Sequence, residues 1–351
     1  MAIGGVSLAT IATFAGFGVL VGLIFGFFGM GSFLVPPILL VMGYDSTVAV
    51  GSGLAFVFGT AVIATLKHRD LDQVHPRLGV VTIVGTTLGI EVGKRGLLAL
   101  RDAGMAVGVV GGAYVLLLGA VGTLVIRDAL SAEGTGEPVG EEDRVTVPEW
   151  VSSLAEIDPI AVPADWLGRI VPFDTRISLP GGGSIAVWSL FAITFVTGVP
   201  AGLLGIGGGF MRIPALTYLV GVPMSIAVGT NVFALAISGG IGAFSWAQAG
   251  GVDLSIVAPL LLGSALGARL GSTITDYVPE GSSRIYFGAM LILSAVAVAT
   301  KRVGARLDVP WLRLVGIALI VGSALIVSAL VLRAAVTSIR DDGRKQAAPS
   351  D

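Results

Sequence analysis

Gly205-Ile206-Gly207-Gly208-Gly209-Phe210-Met211-Arg212-Ile213-Pro214 places three consecutive glycines ahead of an arginine and a proline. Three such glycines weaken a helix by roughly 1 kcal/mol each. Inside a bilayer, unwound backbone survives only where protein or a water-filled cavity surrounds it. The run therefore predicts a helix break followed by a new short helix. The free N–H groups at the start of that helix would suit a negative solute. A weaker copy stands at Gly29-Met30-Gly31-Ser32-Phe33-Leu34-Val35-Pro36. Tight packing of helices through small residues is the plainer role for such glycines.

A second constellation is Val50-Gly51-Ser52-Gly53 with its partner Val228-Gly229-Thr230-Asn231. Ser52, Thr230 and Asn231 can hydrogen-bond a solute or a neighbouring carbonyl, and the structural role is the more frequent one for Ser and Thr in such helices. Asn231 stands out because a buried amide needs several partners. Charge at membrane depth is the third signal. Arg212 lies between two long charge-free runs, and Arg269 and Glu91 lie in otherwise apolar segments. Intramembrane charge is costly, which makes it a functional hypothesis, with snorkelling to the interface as the structural alternative. That alternative weighs on Glu91, which has Lys94 and Arg95 one turn away. The two histidines, His68 and His75, share a polar loop and form no HExxH pair. No nucleophile elbow, P-loop or dinucleotide fingerprint is present.

The elements that must position these residues are membrane helices. Residues 1–44 carry no Asp, Glu, Lys or Arg, and neither do residues 213–252. About 20 apolar residues cross the hydrocarbon layer, so each run can supply two passes. Charged residues are only 13% of the chain, against about 25% in soluble domains, and mean hydropathy is +0.92. The chain reads as an all-α membrane protein, a polytopic helical bundle. Helices are expected near 8–28, 33–43, 47–66, 78–98, 104–126, 185–204, 210–221, 225–247, 255–275, 284–300 and 311–333, with eight to ten full spans. The pieces 33–43 and 210–221 are too short to span alone and read as half-helices or re-entrant hairpins.

Cysteine is absent, which removes disulfides, thiolate metal sites and a cysteine nucleophile. No metal site or cofactor is expected. Net charge is −2 with no basic patch, so nucleic acid is not an expected partner. The expected partners are the lipid bilayer, a small anionic solute and, where transport is uphill, a coupling ion.

An offset of 178 residues aligns 29–93 with 207–271 without a gap. Gly29 falls on Gly207, Gly31 on Gly209, Pro36 on Pro214, and Ala49-Val50-Gly51 on Ala227-Val228-Gly229. Gly85, Leu88-Gly89 and Gly93 fall on Gly263, Leu266-Gly267 and Gly271, and Glu91 on Arg269. Two homologous halves, inverted if each has an odd number of spans, are a common build of secondary transporters, with the solute site at their interface. The expected organisation is a first membrane half at 1–126, an acidic connector at 127–184, a second half at 185–300, an additional span at 301–339 and a polar, disordered tail at 340–351. Trp150 and Trp166 in the connector suggest short interfacial helices, with a partly disordered linker as the equal alternative.

With these residues in view, the chain resembles the sulfite exporter TauE/SafE family of permeases. The matching features are Gly205–Pro214, its copy at Gly29–Pro36, Ala227–Asn231, the Gly250-Gly251-Val252-Asp253 turn, and the span ending Gly267-Ala268-Arg269-Leu270-Gly271. The resemblance implies a permease for sulfite or organosulfonates with no bound cofactor. The connector is longer than the family leads one to expect. The substrate-path residues carried forward are Gly29, Gly31, Ser32, Pro36, Ser52, Gly207, Gly208, Gly209, Arg212, Pro214, Thr230, Asn231 and Arg269. An alternating-access permease is the leading reading. A channel-like anion facilitator and a non-transporting anchor or regulatory subunit are the rivals. A membrane-embedded enzyme is disfavoured because no His, Asp pair or Cys clusters within the spans.

Overall fold

The computed structural model describes residues 2–3, 6–28, 32–70, 73–135, 176–179, 184–274, 280–307, 309 and 311–347. The helices are α1 (Leu8–Phe28), α2 (Val35–Met42), α3 (Ser46–Asp70), α4 (Pro76–Asp102), α5 (Ala106–Thr135) and α6 (Val187–Leu204). They continue as α7 (Gly209–Pro214), α8 (Met224–Gln248), α9 (Leu254–Ile274), α10 (Glu280–Leu307) and α11 (Trp311–Ala347). A 3₁₀ turn at Ser32–Leu34 leads into α2, and a π-helical turn at Ala215–Leu219 follows α7. Two short antiparallel hairpins, β1 (Ala2–Ile3) with β2 (Val6–Ser7) and β3 (Arg176–Ser178) with β4 (Ser184–Ala186), precede α1 and α6. The hairpins were not expected, since two- and three-residue strands leave no periodicity to read.

Seven helices among the described residues are long and apolar enough to cross a membrane, fewer than the eight to ten expected. The shortfall lies in α4 and α11. The last turns of α4 carry Glu91, Lys94, Arg95, Arg101 and Asp102, and the apolar stretch of α11 is only Leu314–Leu330. Outward-facing Leu116, Leu254, Leu262 and Phe244 are each more than half exposed. A water-facing surface does not tolerate such a continuous apolar coat, whereas lipid does. The chain is an all-α, multi-pass membrane protein.

Helix boundaries recur at the 178-residue offset. Ser46 and Met224 open α3 and α8, Asp70 and Gln248 close them, and Pro76 and Leu254 open α4 and α9. Packing follows the same rule. Helix α1 lies along α9, and α4 lies along α6, which is the same pair with the halves exchanged. Helix α3 packs on α8, and α5 on α10. Glycine makes the first two contacts possible. A methyl at Gly263, Gly267 or Gly271 would overlap the carbonyl oxygen of Ala15, Val19 or Leu23, and one at Gly89 or Gly93 that of Phe195 or Val199. These backbones touch directly, as small-residue stripes permit in membranes.

Two boundaries of the expected organisation differ in the structure, and a third part falls beyond what it describes. Most of the connector, with Trp150 and Trp166, lies outside the described residues. Helix α5 runs on to Thr135 and α11 to Ala347, so the expected tail from Arg340 begins as helix. Arg340, Asp341, Asp342, Arg344 and Lys345 offer alternating charges at helical spacing, and no proline intervenes before Pro349.

Candidate functional site

The second glycine run is a break. Helix α6 ends at Leu204, and Gly205, Gly207 and Gly208 take φ of 71, 72 and 70° before α7 begins at Gly209. Left-handed backbone at three positions within four residues is open to glycine and costly to other L-residues. Gly205 also touches α3, where a methyl would overlap the Val50 carbonyl. In the first half α1 ends at Phe28 and the chain resumes as a tight turn at Ser32 before α2. Gly29 and Gly31 lie outside the described residues. Pro36 is buried at the start of α2, against Gly53 of α3.

A tyrosine the sequence reading passed over closes the end of α6. Tyr114 of α5 is fully buried, and its hydroxyl donates to the Leu204 carbonyl. That carbonyl is one of the acceptors a terminating helix leaves without an intrahelical donor. The only prior signal was a lone phenol within an apolar span.

A cavity with about 20 Å³ of space for a water centre lies between the turn that begins at Ser32 and the break before α7, room for about one water molecule. Ser32 and Phe33 wall it from the first half, and Ile206, Gly209 and Asn231 from the second. Val57 of α3 and Leu235 of α8, 178 residues apart, both line it and belong to one apolar cluster. The Ser32 hydroxyl reaches the Ile206 carbonyl at 3.4 Å, a long hydrogen bond between the halves.

Arg212 is completely buried behind this wall. Its Nη1 donates to Asn231 Oδ1 at 3.0 Å, while Nε and Nη2 have no partner. No described carboxylate pairs with it. A guanidinium has only donors, so the amide atom facing it must be the oxygen. The Asn231 NH₂ is thereby turned the other way, toward Gly209. Arg212 thus supplies a positive potential and fixes the orientation of a cavity-lining donor.

Ser52 and Thr230 are hydrogen-bonded across the halves. Ser52 Oγ accepts from the Asp253 backbone N–H at 3.0 Å, and Thr230 Oγ1 from the His75 backbone N–H at 3.0 Å. His75 and Asp253 are themselves 178 residues apart and open α4 and α9. His75 Nδ1 accepts from the Leu78 N–H at 3.2 Å, and Asp253 Oδ1 from the Ser255 N–H at 2.9 Å, each in the manner of an N-cap. Burial and the charge of Arg77 hold the His75 imidazole below its ordinary pKa.

The remaining candidates lie elsewhere. Arg269 is on the exposed side of α9 and is not part of the cavity wall. Glu91 pairs with Lys94 at 3.0 Å and Arg95 at 2.9 Å and accepts from Ser245 at 2.9 Å, which ties α4 to α8 away from the cavity. Pro214 closes α7. Among the described residues no group of His, Cys, Asp and Glu has the makings of a metal site.

The profile of the sulfite exporter TauE/SafE family matches residues 14–298 and, in an overlapping placement, 190–333. A probable membrane transporter protein of Xylella fastidiosa is 24% identical over 287 residues, covering 81% of this chain and 92% of that protein. The probable membrane transporter protein YunE of Bacillus subtilis is 33% identical over 102 residues, 29% of this chain and 37% of that one. The probable membrane transporter protein MamO of Magnetospirillum gryphiswaldense is 22% identical over 284 residues, 78% of this chain and 40% of that protein. No solved structure matches the chain. A family profile spanning most of the chain and seven apolar spans among the described residues lead to one assignment: the chain belongs to the TauE/SafE sulfite exporter family and is a multi-pass membrane transporter.

Proposed function

We propose that the chain is a permease for small anions, sulfite or organosulfonates, worked by alternating access between two homologous halves, and not an enzyme. The observation that carries the reading is Arg212. A fully buried guanidinium with two nitrogens unpartnered and no described carboxylate paired with it is strongly disfavoured unless something compensates it. An anion in the adjoining cavity supplies the missing charge. The family name supports sulfur oxyanions as the class. The cavity holds about one water, too little for an oxyanion, so the halves must part for the solute to enter. That need for opening favours a carrier over an open pore.

Purified protein in liposomes provides the test. Saturable uptake of labelled sulfite or methanesulfonate, with counterflow, is expected. Absence of flux above empty liposomes for every small oxyanion and sulfonate overturns the reading, and conductance without counterflow replaces the carrier by a channel. Removing residues 136–175 leaves transport intact if the membrane halves carry the function, and abolishes it if the chain serves through its connector.

A further inference from the structure

We propose that the anion rests inside the second half, held by Arg212 together with the hydroxyls of Thr82 and Thr86 on α4. This assignment rests on the anion-permease reading above and adds a helix that does not line the cavity. Leu78 of α4, Leu190 of α6, Leu216 after α7 and Ala227 of α8 belong to one buried apolar cluster. Gly208 lies against Thr197 and Ala201, while Leu216 clusters with Leu190, so the chain through α7 runs back along α6. One turn further along α4, α6 and α8 stand Thr82, Thr194 and Asn231, and one turn back along α7 stands Arg212. All four are at most 1% exposed. An apolar layer thus gives way to a polar one.

Thr82 and Thr86 face the polar layer. Gly85, Gly89 and Gly93 form the row of α4 that touches α6, and Gly79 and Ile90 the row that touches α8. At about 3.6 residues per turn, the two threonines fall between these rows. A helical threonine can give its proton to the carbonyl one turn back, as Thr194 and Thr197 do. Thr82 and Thr86 are fully buried and their hydroxyls have no partner. Arg212 Nη2, also unpartnered, lies by Gly208 against the Thr197 turn of α6, and the Thr86 backbone touches Gly198 in that same turn. Hydroxyls and guanidinium can donate together to the oxygens of one small oxyanion.

The first half is apolar at the equivalent positions. The residues 178 positions from Thr82, Thr194, Arg212 and Asn231 are Leu260, Gly16, Leu34 and Gly53. Ser264 takes the place of Thr86, and its hydroxyl donates to the Leu261 carbonyl at 3.0 Å. The helices repeat and the polar lining does not, so the second half carries the site and the first moves against it.

Thr82→Val and Thr86→Val remove each hydroxyl and leave Arg212 and Asn231 in place. Uptake of labelled sulfite and methanesulfonate is measured in proteoliposomes of the full-length protein. The thermal midpoint is measured in detergent with either anion, or with gluconate at the same ionic strength. Each substitution is expected to raise KM by ~10-fold, the loss of one hydrogen bond to a charged group. Each is also expected to shrink the rise in midpoint that the bound anion gives the wild type. In gluconate the midpoint stays level or rises, because a buried hydroxyl without a partner is gone. Ser264→Ala leaves KM unchanged. An unchanged KM in both threonine variants overturns the assignment. A midpoint that falls in gluconate also overturns it, because the hydroxyls then serve Arg212 and not the anion. A KM raised equally in Ser264→Ala overturns the one-sided placement. Wild-type protein without flux for either anion removes the permease reading. An anion-dependent midpoint that Thr86→Val abolishes then upholds the binding site by itself, and a midpoint indifferent to both anions removes the site as well.

Discussion

Thr230 holds the backbone N–H of His75 at 3.0 Å across 155 positions of chain, and this bond is one of a matched pair. Ser52 holds Asp253 at the same distance. Each hydroxyl sits nearly two turns into a long helix and receives the N–H of the residue just before a helix of the opposite half. The pair joins the halves by one side-chain hydroxyl and one main-chain N–H in each bond.

Removing either hydroxyl leaves a part-buried N–H without its acceptor, at about 1 kcal/mol, the low end of the cost for a buried group. Ser52→Ala and Thr230→Val are each expected to lower the thermal midpoint of the detergent-solubilised protein. Thr230→Ser restores the acceptor and the midpoint with it. A Thr230→Val protein as stable as the wild type shows that the N–H finds another acceptor.

The glycine contacts separate positions that tolerate a side chain from those that do not. Gly267→Ala sets a methyl into the Val19 carbonyl, whereas a methyl at Gly16 meets nothing within 4 Å. Gly267→Ala is therefore expected to lose its single peak in size-exclusion chromatography. Gly16→Ala is expected to keep it, with a gain of up to about 1 kcal/mol from helix propensity. Equal behaviour of the two variants contradicts direct backbone contact between α1 and α9.

Arg212→Met distinguishes a functional charge from a structural one. Losing a buried, largely unpartnered charge relieves a desolvation cost of several kcal/mol. The free Asn231 oxygen returns about 1–3 kcal/mol of that. The thermal midpoint is expected to stay level or rise, while anion flux in liposomes falls by roughly 100-fold, as loss of a buried countercharge implies. A large fall in the midpoint with flux retained identifies Arg212 as scaffolding.

His75 gives the protein a pH-dependent stability. Its pKa in the folded state lies below the ordinary value, first through burial and then through Arg77. Above the unfolded value, about 6.5, both states are neutral and the α4 cap is whole. As pH falls below that value the unfolded chain takes the proton first, and the stabilisation is lost progressively until the folded imidazole also protonates. The thermal midpoint is expected to decline more between pH 7 and 5 in the wild type than in His75→Asn, which keeps a capping oxygen without the titration. Identical slopes exclude His75 as the source.

Most of the helical plan was legible because membrane helices announce themselves by the charges they lack. The bare run from Ile213 to Val252 fixes α8, and Pro76 and Leu254 mark matching helix starts. The break at Gly205–Gly208 was readable from three glycines whose backbone only they adopt comfortably. Contacts between distant segments were not readable. Nothing local distinguishes Tyr114, which caps α6, from a packing aromatic. Arg269 and Arg212 look alike in sequence, each a lone arginine in apolar surroundings. Only the rotation of α9 and the position of α7 set one outward and the other inward. The bond from Arg212 to Asn231 joins residues 19 apart, across a turn whose course the sequence does not specify.

The pairing of α1 with α9 has a consequence for how the protein is made. Gly18 and Gly263 belong to the same helix–helix seam, yet 245 residues separate them. At the usual synthesis rate of 5–20 residues per second, α1 waits in the bilayer for roughly 12–50 s before its partner emerges from the ribosome. Helices α4 and α6 complete their own seam earlier. The seam of α5 with α10 closes later still, and an N-terminal fragment released before α9 is made leaves the notched face of α1 open to lipid.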